Sequence, residues 1–425
     1  MPFTKFSNLD FDQIKTSIKD YLRSDLTDSD FTDFDFEGSN FSVLIDTLAY
    51  NTYITAVNSN LVVNESFLDS ATVRENVVSL ARNIGYVPRS KTAAKATISF
   101  RVENSTAIDN VNIMNVPGTL TLKAGLVCIG SDNNTTYTFC IPEDITAVTV
   151  INDKNEDTGN YPGYYADFNS IEVLQGTFLK KSFAVDGSLD QRFILDNPSI
   201  DTSSIIVYVK DKLEDGDNGI LYTKVDNILN VKSSSTTFLL QEIQDERYEL
   251  LFGDGIFGKK LENGKTIDIS YIVTDGKDGN GPSSFSFAGT VETSPGVNVN
   301  VTSSPTITVI SGASNGGNIE SVDSIKYFAP RLYSSQYRAV TARDYEAIIQ
   351  QIYPNTESVS VVGGEELDPP QFGTVFITIK PQNGEFVSDF DKERILSDLK
   401  NYSLTGINQK LVDLKILHIE LESFI

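Results

Sequence analysis

Apolar positions near the N-terminus recur at the spacing of α-helices. Over residues 11–22 they follow one another at intervals of three and four, which places them on one stripe of a helix whose opposite face is polar. A helix with a single apolar stripe must dock on another element. The stripe consists of Phe11, Ile14, Ile18, Tyr21 and Leu22.

A second, longer helix is predicted after Ser39, whose hydroxyl can accept a hydrogen bond as an N-cap. Its apolar residues lie around most of its circumference, so that it needs neighbours on several sides. We expect partner helices to cover much of it. The residues expected at this contact are Leu44, Leu48, Tyr53, Ile54, Val57 and Leu61.

A third helix is predicted from a capping-box pattern at residues 72–75 and a stop at Gly85, which is followed by Pro88. Residues 1–92 are therefore expected to form an N-terminal helical bundle segment that serves assembly. The pattern leaves open whether three helices complete this bundle alone or with helices from another chain, although the apolar circumference of the second favours a partner.

The pattern changes to short alternating strands from about Ala94 to Pro305, for example at residues 97–102, 205–209 and 267–273. Clusters of Gly, Asn and Asp separate these strands and mark turns. We expect a central all-β region over residues 93–310, with a long loop near 153–165. Its length fits two β domains or one domain with an insertion.

The remaining residues, 311–425, mix the two patterns. Helices are predicted near residues 323–333, 342–352 and 389–401, and strands at 358–362 and 374–380. A last alternating strand is predicted from Leu411 to the final residue. This order indicates a small α+β sandwich, so the fold class of the whole chain is α+β and multidomain.

The net charge of the chain limits which partners are expected. The 425 residues include 34 Lys and Arg against 58 Asp and Glu, a net charge of −24. Such a chain repels phosphate backbones and anionic lipid, so neither nucleic acid nor membrane is expected as a partner. No apolar run approaches the roughly 20 residues that span a bilayer, which favours a cytosolic or particle-bound protein.

The residue inventory limits enzymatic chemistry. The sequence has no tryptophan and a single histidine, His418, which alternation places on the polar face of the last strand. Cys128 and Cys140 are too few for a secreted disulfide framework and are expected to be buried free thiols. We therefore expect no catalytic residue, no bound metal and no cofactor.

Residues 253–258, called here the Gly253 loop, match the G-x-G-x-x-G pattern of dinucleotide-binding proteins. That fingerprint must join a strand to a helix, whereas Asn263 and Gly264 here predict a hairpin that leads into another strand. The loop is therefore interpreted as a structural turn. Its members are Gly253, Asp254, Gly255 and Gly258, with Asp254 accepting backbone hydrogen bonds.

The many acidic residues raise two other kinds of site, a calcium site and a carboxylate pair for glycoside hydrolysis. Acidic clusters at residues 28–35 and 214–218 do not have the ligand spacing of an EF-hand calcium loop. A pair of carboxylates for glycoside hydrolysis is not marked by any spacing, because the distance between such acids depends on the fold. A glycan-binding protein or a hydrolase is the alternative function.

Five segments in the second half of the chain resemble the baseplate J-like proteins of contractile phage tails. The family's FGDG signature corresponds to residues 250–264, and its following tyrosine and GN positions to 267–271 and 279–281. Its GG…ES and RAVT…DY stretches correspond to residues 313–321 and 337–345, in the expected order.

The N-terminal part is similar to the baseplate wedge subunits of large T4-like myophages at residues 35–39, 48–52, 65–67 and 85–88. The resemblance implies a non-enzymatic structural protein located in the virion tail baseplate, and in the host cytoplasm during assembly. It also implies these partners: a second copy of the chain, other wedge proteins through N-terminal helices, and neighbouring wedges in a sixfold ring that changes when the tail contracts.

Overall fold

The computed structural model describes most of the chain. The described residues are 10–25, 38–105, 116–132, 135–154, 156, 160–188, 191–211, 219–225, 231–293, 297–299, 305–336, 338–353, 356–381, 386–387 and 389–414. They divide into two compact units. One contains Met1–Tyr86 together with Val322–Ala329, and the other contains Val87–Ser321 and Pro330–Ile425.

Three helices make up the N-terminal part of the first unit: α1 (Phe11–Asp25), α2 (Asn40–Glu65) and α3 (Arg74–Asn83). Ser39 caps α2 as expected, because its Oγ accepts a hydrogen bond from the Ser42 backbone N–H at 3.0 Å. A salt bridge of 2.6 Å between Lys15 and Asp46 joins α1 to α2.

The predicted capping box at the start of α3 is wrong. The N-cap residue is Val73, and no side chain of its own segment caps the helix. The cap comes instead from Glu65 at the end of α2, whose carboxylate accepts hydrogen bonds from the backbone N–H groups of Thr72 and Val73 and from the side chains of Thr72 and Asn76. A carboxylate at a helix N-terminus is favoured because it meets the unpaired N–H groups and the positive end of the helix dipole.

Seventeen strands are described in the central region, and they form two sheets. In chain order they are β1 (Lys95–Asn104), β2 (Thr119–Leu122), β3 (Gly125–Asp132), β4 (Thr135–Ile141), β5 (Ile145–Ile151), β6 (Tyr164–Gln175), β7 (Thr177–Ala184), β8 (Phe193–Leu195), β9 (Ile200–Lys210), β10 (Ile220–Lys224), β11 (Thr237–Glu242), β12 (Tyr248–Phe252), β13 (Thr266–Val273), β14 (Ser284–Phe287), β15 (Val291–Thr293), β16 (Val297–Asn298) and β17 (Ile307–Ser314). Short 3₁₀ turns occur at Gln244–Glu246 and Gly276–Gly279.

The first sheet has the order β14-β3-β4-β6-β5-β2-β15-β16, and β1 pairs with both β6 and β17. The long strand β6 organises it, because β4 and β5 pair with opposite ends of β6 while β1 pairs along its length. Aromatic rings pack within a core that is otherwise mainly aliphatic. The ring of Phe100 lies 5.2 Å from that of Phe168 and 5.0 Å from that of Phe287.

The second sheet has the order β7-β13-β9-β10-β11-β12-β8. Its two edge strands, β7 and β8, approach each other through side chains: Lys181 Nζ donates to the Ile194 carbonyl at 2.9 Å, and the rings of Phe183 and Phe193 lie 5.6 Å apart. These contacts link the two edge strands of the sheet.

All seven strands of the second sheet lie between β6 and β14 in sequence, so the second sheet is an insertion in the first. Gly176 begins the insertion with φ of +137°, and a Cβ there would lie 2.3 Å from the Val273 carbonyl oxygen. The buried Gln175 holds the exit, because its Oε1 accepts from Thr274 Oγ1 at 2.7 Å and its Nε2 donates to Asp275 at 2.7 Å. The two sheets have separate hydrophobic cores.

The expected boundary between residues 310 and 311 falls inside β17, whose pairing with β1 carries the β region to Ser314. Beyond it lie α4 (Val322–Ser335), α5 (Ala342–Ile352), β18 (Thr356–Gly363), a 3₁₀ turn at Gly364–Glu366, β19 (Thr374–Pro381), α6 (Asp389–Leu399) and β20 (Asn408–Leu411). Thr341 and Asp344 form a capping box at the start of α5.

β19 is the central strand of this last sheet, antiparallel to β18 and parallel to β20. Most of the final strand predicted from Leu411 onward, including His418, lies outside the described residues. The N-terminal helices, the large β region and this mixed region confirm the predicted α+β, multidomain fold class.

Glu65 gives the helical segment a testable pH dependence. Partial burial alone would raise the pKa of Glu65, but the hydrogen bonds from Thr72, Asn76 and Val73 outweigh burial and lower it from 4.5 to about 2. Because the folded-state pKa is depressed, the stabilisation is complete above pH 4.5 and is lost as pH falls toward 2.

We expect Glu65→Gln to speed hydrogen exchange at the α3 amides at pH 7, with a cost of about 1 kcal/mol, typical of a lost cap. The difference between the variant and the parent should vanish as the pH approaches the lowered pKa. Glu75→Gln is the matched control, because Glu75 is the acid of the mistaken capping box. A larger effect of Glu75→Gln than of Glu65→Gln would contradict the Glu65 cap.

Candidate assembly interface

The exposed apolar stripes of α2 contain no charged residue. The 26-residue helix contains only two ionisable acids, Asp46 and Glu65, and no basic residue. Asp46 is paired with Lys15, and Glu65 caps α3. In a chain with 22% charged residues, a long exposed helix face built only from apolar and neutral polar side chains is unusual for a surface that stays in water.

Five of the six residues predicted at the partner contact are exposed. The exposed fraction is 54% for Leu44 and 50% for Leu48, and Ile54, Val57 and Leu61 lie between 37% and 46%. The sixth, Tyr53, is half-buried. The residues of α2 that are buried in the helical unit are Ser42, Ile45, Ala49 and Asn64. Packing among the described residues therefore covers one side of α2 and leaves the predicted contact residues at its surface.

The exposed apolar residues of α2 form two stripes. At 100° per residue, Tyr50, Ile54 and Leu61 follow one line along the helix, and Leu44 and Leu48 follow another. Two stripes separated by a neutral row can contact two neighbouring helices. Sequence reasoning omitted Val62, which is 66% exposed. The signal was the run of three apolar residues at 61–63, which must reach more than one face.

The hydroxyl groups beside these stripes are already hydrogen-bonded within the helix. Thr47, Thr52 and Thr55 donate to the carbonyl oxygens four residues earlier at 2.8 to 2.9 Å, and Ser59 does so at 2.8 Å. A hydroxyl that keeps its hydrogen bond can be buried against a partner without leaving an unsatisfied donor. The face can therefore lose water at little polar cost.

A groove lies beside this face, between α1 and α2. Its volume is about 340 Å³, and it runs from the buried Ile14 to Tyr21, which is 64% exposed. The remaining lining residues are Ser17, Ile18, Leu22 and Thr52. The apolar stripe of α1 is thus partly used against α2 and partly open, so that the pair presents both a groove and a face.

The Gly253 loop has the geometry of a tight turn between strands. It joins β12 to a hairpin before β13, and no helix begins in it. Gly255 and Gly258 have φ of +96° and +86°, and a Cβ on Gly253 would lie 2.2 Å from the Gly258 carbonyl carbon. These positions require glycine for backbone reasons.

The Asp254 carboxylate fixes the loop from inside. Its Oδ1 accepts hydrogen bonds from the backbone N–H groups of Ile256 and Phe257, both at 2.8 Å, and these bonds lower the pKa of Asp254. A carboxylate that accepts from the loop's own N–H groups takes the place that a phosphate would occupy in a nucleotide-binding loop. The arrangement is therefore poorly suited to binding an anion.

The buried carboxylates of the second unit make structural hydrogen bonds. Glu249 accepts from Arg192 at 2.6 Å and from Gln241 at 2.8 Å, and Asp201 accepts from the Ala93 backbone N–H at 2.8 Å. Glu320 accepts from the Arg89 backbone N–H at 3.0 Å. Each carboxylate ties two segments of the fold together.

The cysteine thiols of the described residues do not indicate a catalytic reaction either. Cys128 and Cys140 are buried thiols without a disulfide, and burial raises the pKa of each to about 12. Within the described ranges, no three His, Cys, Asp or Glu side chains come together in an arrangement that could hold a metal ion. No helix among those residues combines the length and the apolar character needed to cross a bilayer.

The described residues thus define a class of fold: a multidomain α+β protein with an N-terminal helical unit. Family models match two parts of the chain. Residues 10–86 match the family model described as "Baseplate wedge protein gp6-like, helical domain". Residues 341–412 match the one described as "Baseplate structural protein gp6, C-terminal domain I".

Among curated proteins, the chain is 29% identical over 401 residues to "Baseplate wedge protein gp6" of Enterobacteria phage T4. The alignment covers 90% of this chain and 56% of the relative, so the chain spans little more than half the length of that protein. The chain is therefore related by sequence to a baseplate wedge protein along nearly all of its length.

Two solved structures were also compared. A cryo-EM structure of the anti-feeding prophage baseplate aligns over 96% of this chain and 80% of its own, with 13% identity and a TM-score of 0.33. The TssK-TssF-TssG baseplate subcomplex of the type VI secretion system aligns over 89% of this chain and 99% of its own, with 7% identity and a TM-score of 0.33. TM-scores this low do not establish a shared fold.

The turn geometry of the Gly253 loop predicts a backbone effect. Gly255→Ala should lower the free energy of unfolding of the β unit by about 1 to 2 kcal/mol, because an L-residue is strained at positive φ. Gly118→Ala is the matched control, since no heavy atom lies within 4 Å of a Cβ built there and its φ is not positive. Urea unfolding followed by circular dichroism measures both variants. Equal stability of the two would contradict the strain, and saturable nucleotide binding by the parent would contradict the structural role.

Proposed function

We propose that this protein is a non-enzymatic structural subunit of the baseplate wedge of a contractile phage tail. The observation that carries the proposal is the uncharged, apolar outer face of α2, which lies within the segment that matches the wedge-protein helical domain. The sequence relationship to a wedge protein supports the same role. The likeness of residues 250–345 to baseplate J-like proteins remains part of this proposal.

We assign the proposed partners to two parts of the molecule, the surface formed by α1 and α2 and the β and C-terminal regions. The stripes of α2 and the groove beside α1 bind helices of other wedge proteins and of a second copy of this chain. The β and C-terminal regions join neighbouring wedges into a sixfold ring around the tail hub, and the ring transmits the change that accompanies contraction. In this scheme residues 1–92 serve assembly, and residues 93–310 and 311–425 form the body of the subunit.

The proposed location is the tail baseplate of the virion, reached after assembly in the host cytoplasm. No nucleic acid, membrane or cofactor is needed for this role. The acidic surface fits it, because a net charge of −24 disfavours nonspecific adhesion to the packaged or host nucleic acid during assembly.

Energetics favour a covered α2 face. Fully burying a large apolar side chain is worth about 1.5 to 3 kcal/mol relative to leaving it in water. Leu44, Leu48, Ile54, Val57 and Leu61 are each at least one-third exposed. Covering even part of their area with partner helices therefore supplies a large share of the free energy of a stable complex.

The double variant Ile54→Asp, Val57→Asp should prevent assembly, because two carboxylates cannot be desolvated in an apolar contact. We expect co-assembly with the other wedge proteins to weaken at least about a hundredfold, as for the loss of two strong contact residues. Native mass spectrometry of the co-expressed proteins measures the complex.

Val148→Asp is the matched control. Val148 is 72% exposed on β5 and lies outside the helical unit. We expect this variant to assemble as the parent does. Full assembly by the α2 double variant, with the β unit still unfolding cooperatively, would refute the proposed role of the α2 face.

A further inference from the structure

Four lysines line a hollow on the second sheet. It lies where the end of β9 and the start of β10 meet the hairpin before β13, and its volume is about 120 Å³. Since roughly 10 to 15 Å³ is enough for one water molecule, the hollow has room for a small anion. Such a group of lysines is unusual in a chain whose net charge is −24. The charged residues of the lining are Lys210, Lys259, Lys260, Lys265, Asp211 and Glu262.

Two of the four lysines are already paired. Lys210 Nζ lies 2.7 Å from a carboxylate oxygen of β13. Lys265 Nζ lies 2.5 Å from Asp211 and 3.5 Å from Glu262. The hydrogen bond from Lys265 lowers the pKa of Asp211, and the nearby charge of Lys259 lowers it further. Both acids of the lining therefore lie beside Lys265.

The other two lysines, Lys259 and Lys260, form no ion pair with a residue that the structure describes. The backbone at both is fixed, because the Lys259 N–H donates to the Ser235 carbonyl at 2.8 Å and Lys260 forms a β-bridge with Gly253. A phosphate group carries about 1.5 to 2 negative charges at pH 7. The two unpaired ammonium groups match that charge.

A buried tyrosine supplies a further donor at the same hollow. Tyr222 lines the hollow and is only 4% exposed, yet its hydroxyl makes no hydrogen bond within the described part of the chain. Its ring packs in the core of the second sheet, 5.7 Å from the ring of Phe252. Burial raises the pKa of Tyr222, so the phenol is protonated at neutral pH and can donate. A buried hydroxyl without a partner costs free energy, which a bound acceptor would recover.

We propose that this hollow binds a small phosphate anion, held by the ammonium groups of Lys259 and Lys260 and by the hydroxyl of Tyr222. The site is separate from the interior of the Gly253 loop, where Asp254 accepts from the backbone N–H groups. Phosphate offers acceptor oxygens in several directions to separate point charges, whereas a planar carboxylate is matched best by the fork of an arginine. The inference goes beyond the proposed baseplate role and does not depend on it.

A bound phosphate would connect separate segments of the second sheet. Tyr222 lies on β10, and Lys259 and Lys260 lie in the hairpin before β13. An anion that binds only the folded state stabilises that state. The acidic chain repels polyanions, so the ligand is a small free phosphate and not the backbone of a nucleic acid.

Isothermal titration calorimetry of the full chain with inorganic phosphate at pH 7, compared with chloride at the same ionic strength, tests the site. We expect saturable binding of phosphate alone. Lys259→Gln, Lys260→Gln should weaken it at least about tenfold, as for lost hydrogen bonds to a charged group. Lys277→Gln, Lys400→Gln is the matched control and should bind as the parent does, because it makes the same change in net charge at exposed lysines outside the hollow.

Tyr222→Phe separates a built site from general attraction to lysines. The variant should melt as the parent does without phosphate, because the hydroxyl has no hydrogen bond to lose within the described fold, while its affinity for phosphate falls about tenfold. A short DNA duplex serves as a second titrant and should not bind. Absence of saturable phosphate binding, unchanged affinity in either hollow variant, an equal loss in the matched control, or binding of DNA in preference to phosphate would each overturn the proposal.

Discussion

The proposed role depends on one constraint, the large apolar area that the outer face of α2 leaves exposed to water. Of the helix's two charged side chains, Asp46 is paired with α1 and Glu65 caps α3, so each fixes a neighbouring helix. What remains on the outside is apolar or internally hydrogen-bonded. Such a face gains free energy from any helix that covers it and offers no charge that would resist burial. The absence of charge on this face and its exposed apolar side chains would both favour the binding of a partner helix.

The β region differs from α2 because it keeps charged side chains on its outer surface. Its outer surface carries charged pairs such as Arg101 with Asp167 at 2.7 Å and Lys95 with Glu172 at 2.8 Å, which remain partly in water. Aromatic side chains pack in its interior. The strands of the second sheet are inserted in sequence between β6 and β14 of the first sheet, beginning at Gly176. The insertion has two covalent connections, and Gln175 bonds the residues at its exit. These connections restrict movement of the second sheet relative to the first, which is compatible with the proposed structural role.

Much of the fold could be predicted from the sequence because the spacing of apolar residues within a helix or strand follows from the geometry of that element alone. The helix predicted near residues 342–352 corresponds to α5, because the spacing of apolar residues within a helix is a local signal. The Glu65 cap was missed because the carboxylate comes from the preceding helix and only tertiary structure brings it there. The insertion was left undecided, because alternation marks a strand without naming its partner. The lysine-lined hollow was missed because only the fold brings β10 and the hairpin before β13 together.

Partner helices are proposed to cover the outer face of α2. Hydroxyl-radical footprinting of the chain alone and of the assembled baseplate measures it directly, because oxidation reports the exposure of individual side chains. We expect strong protection of Leu44, Leu48 and Leu61 on assembly, with Val148 on β5 oxidised as before. Equal oxidation of the α2 residues in the two states would contradict it.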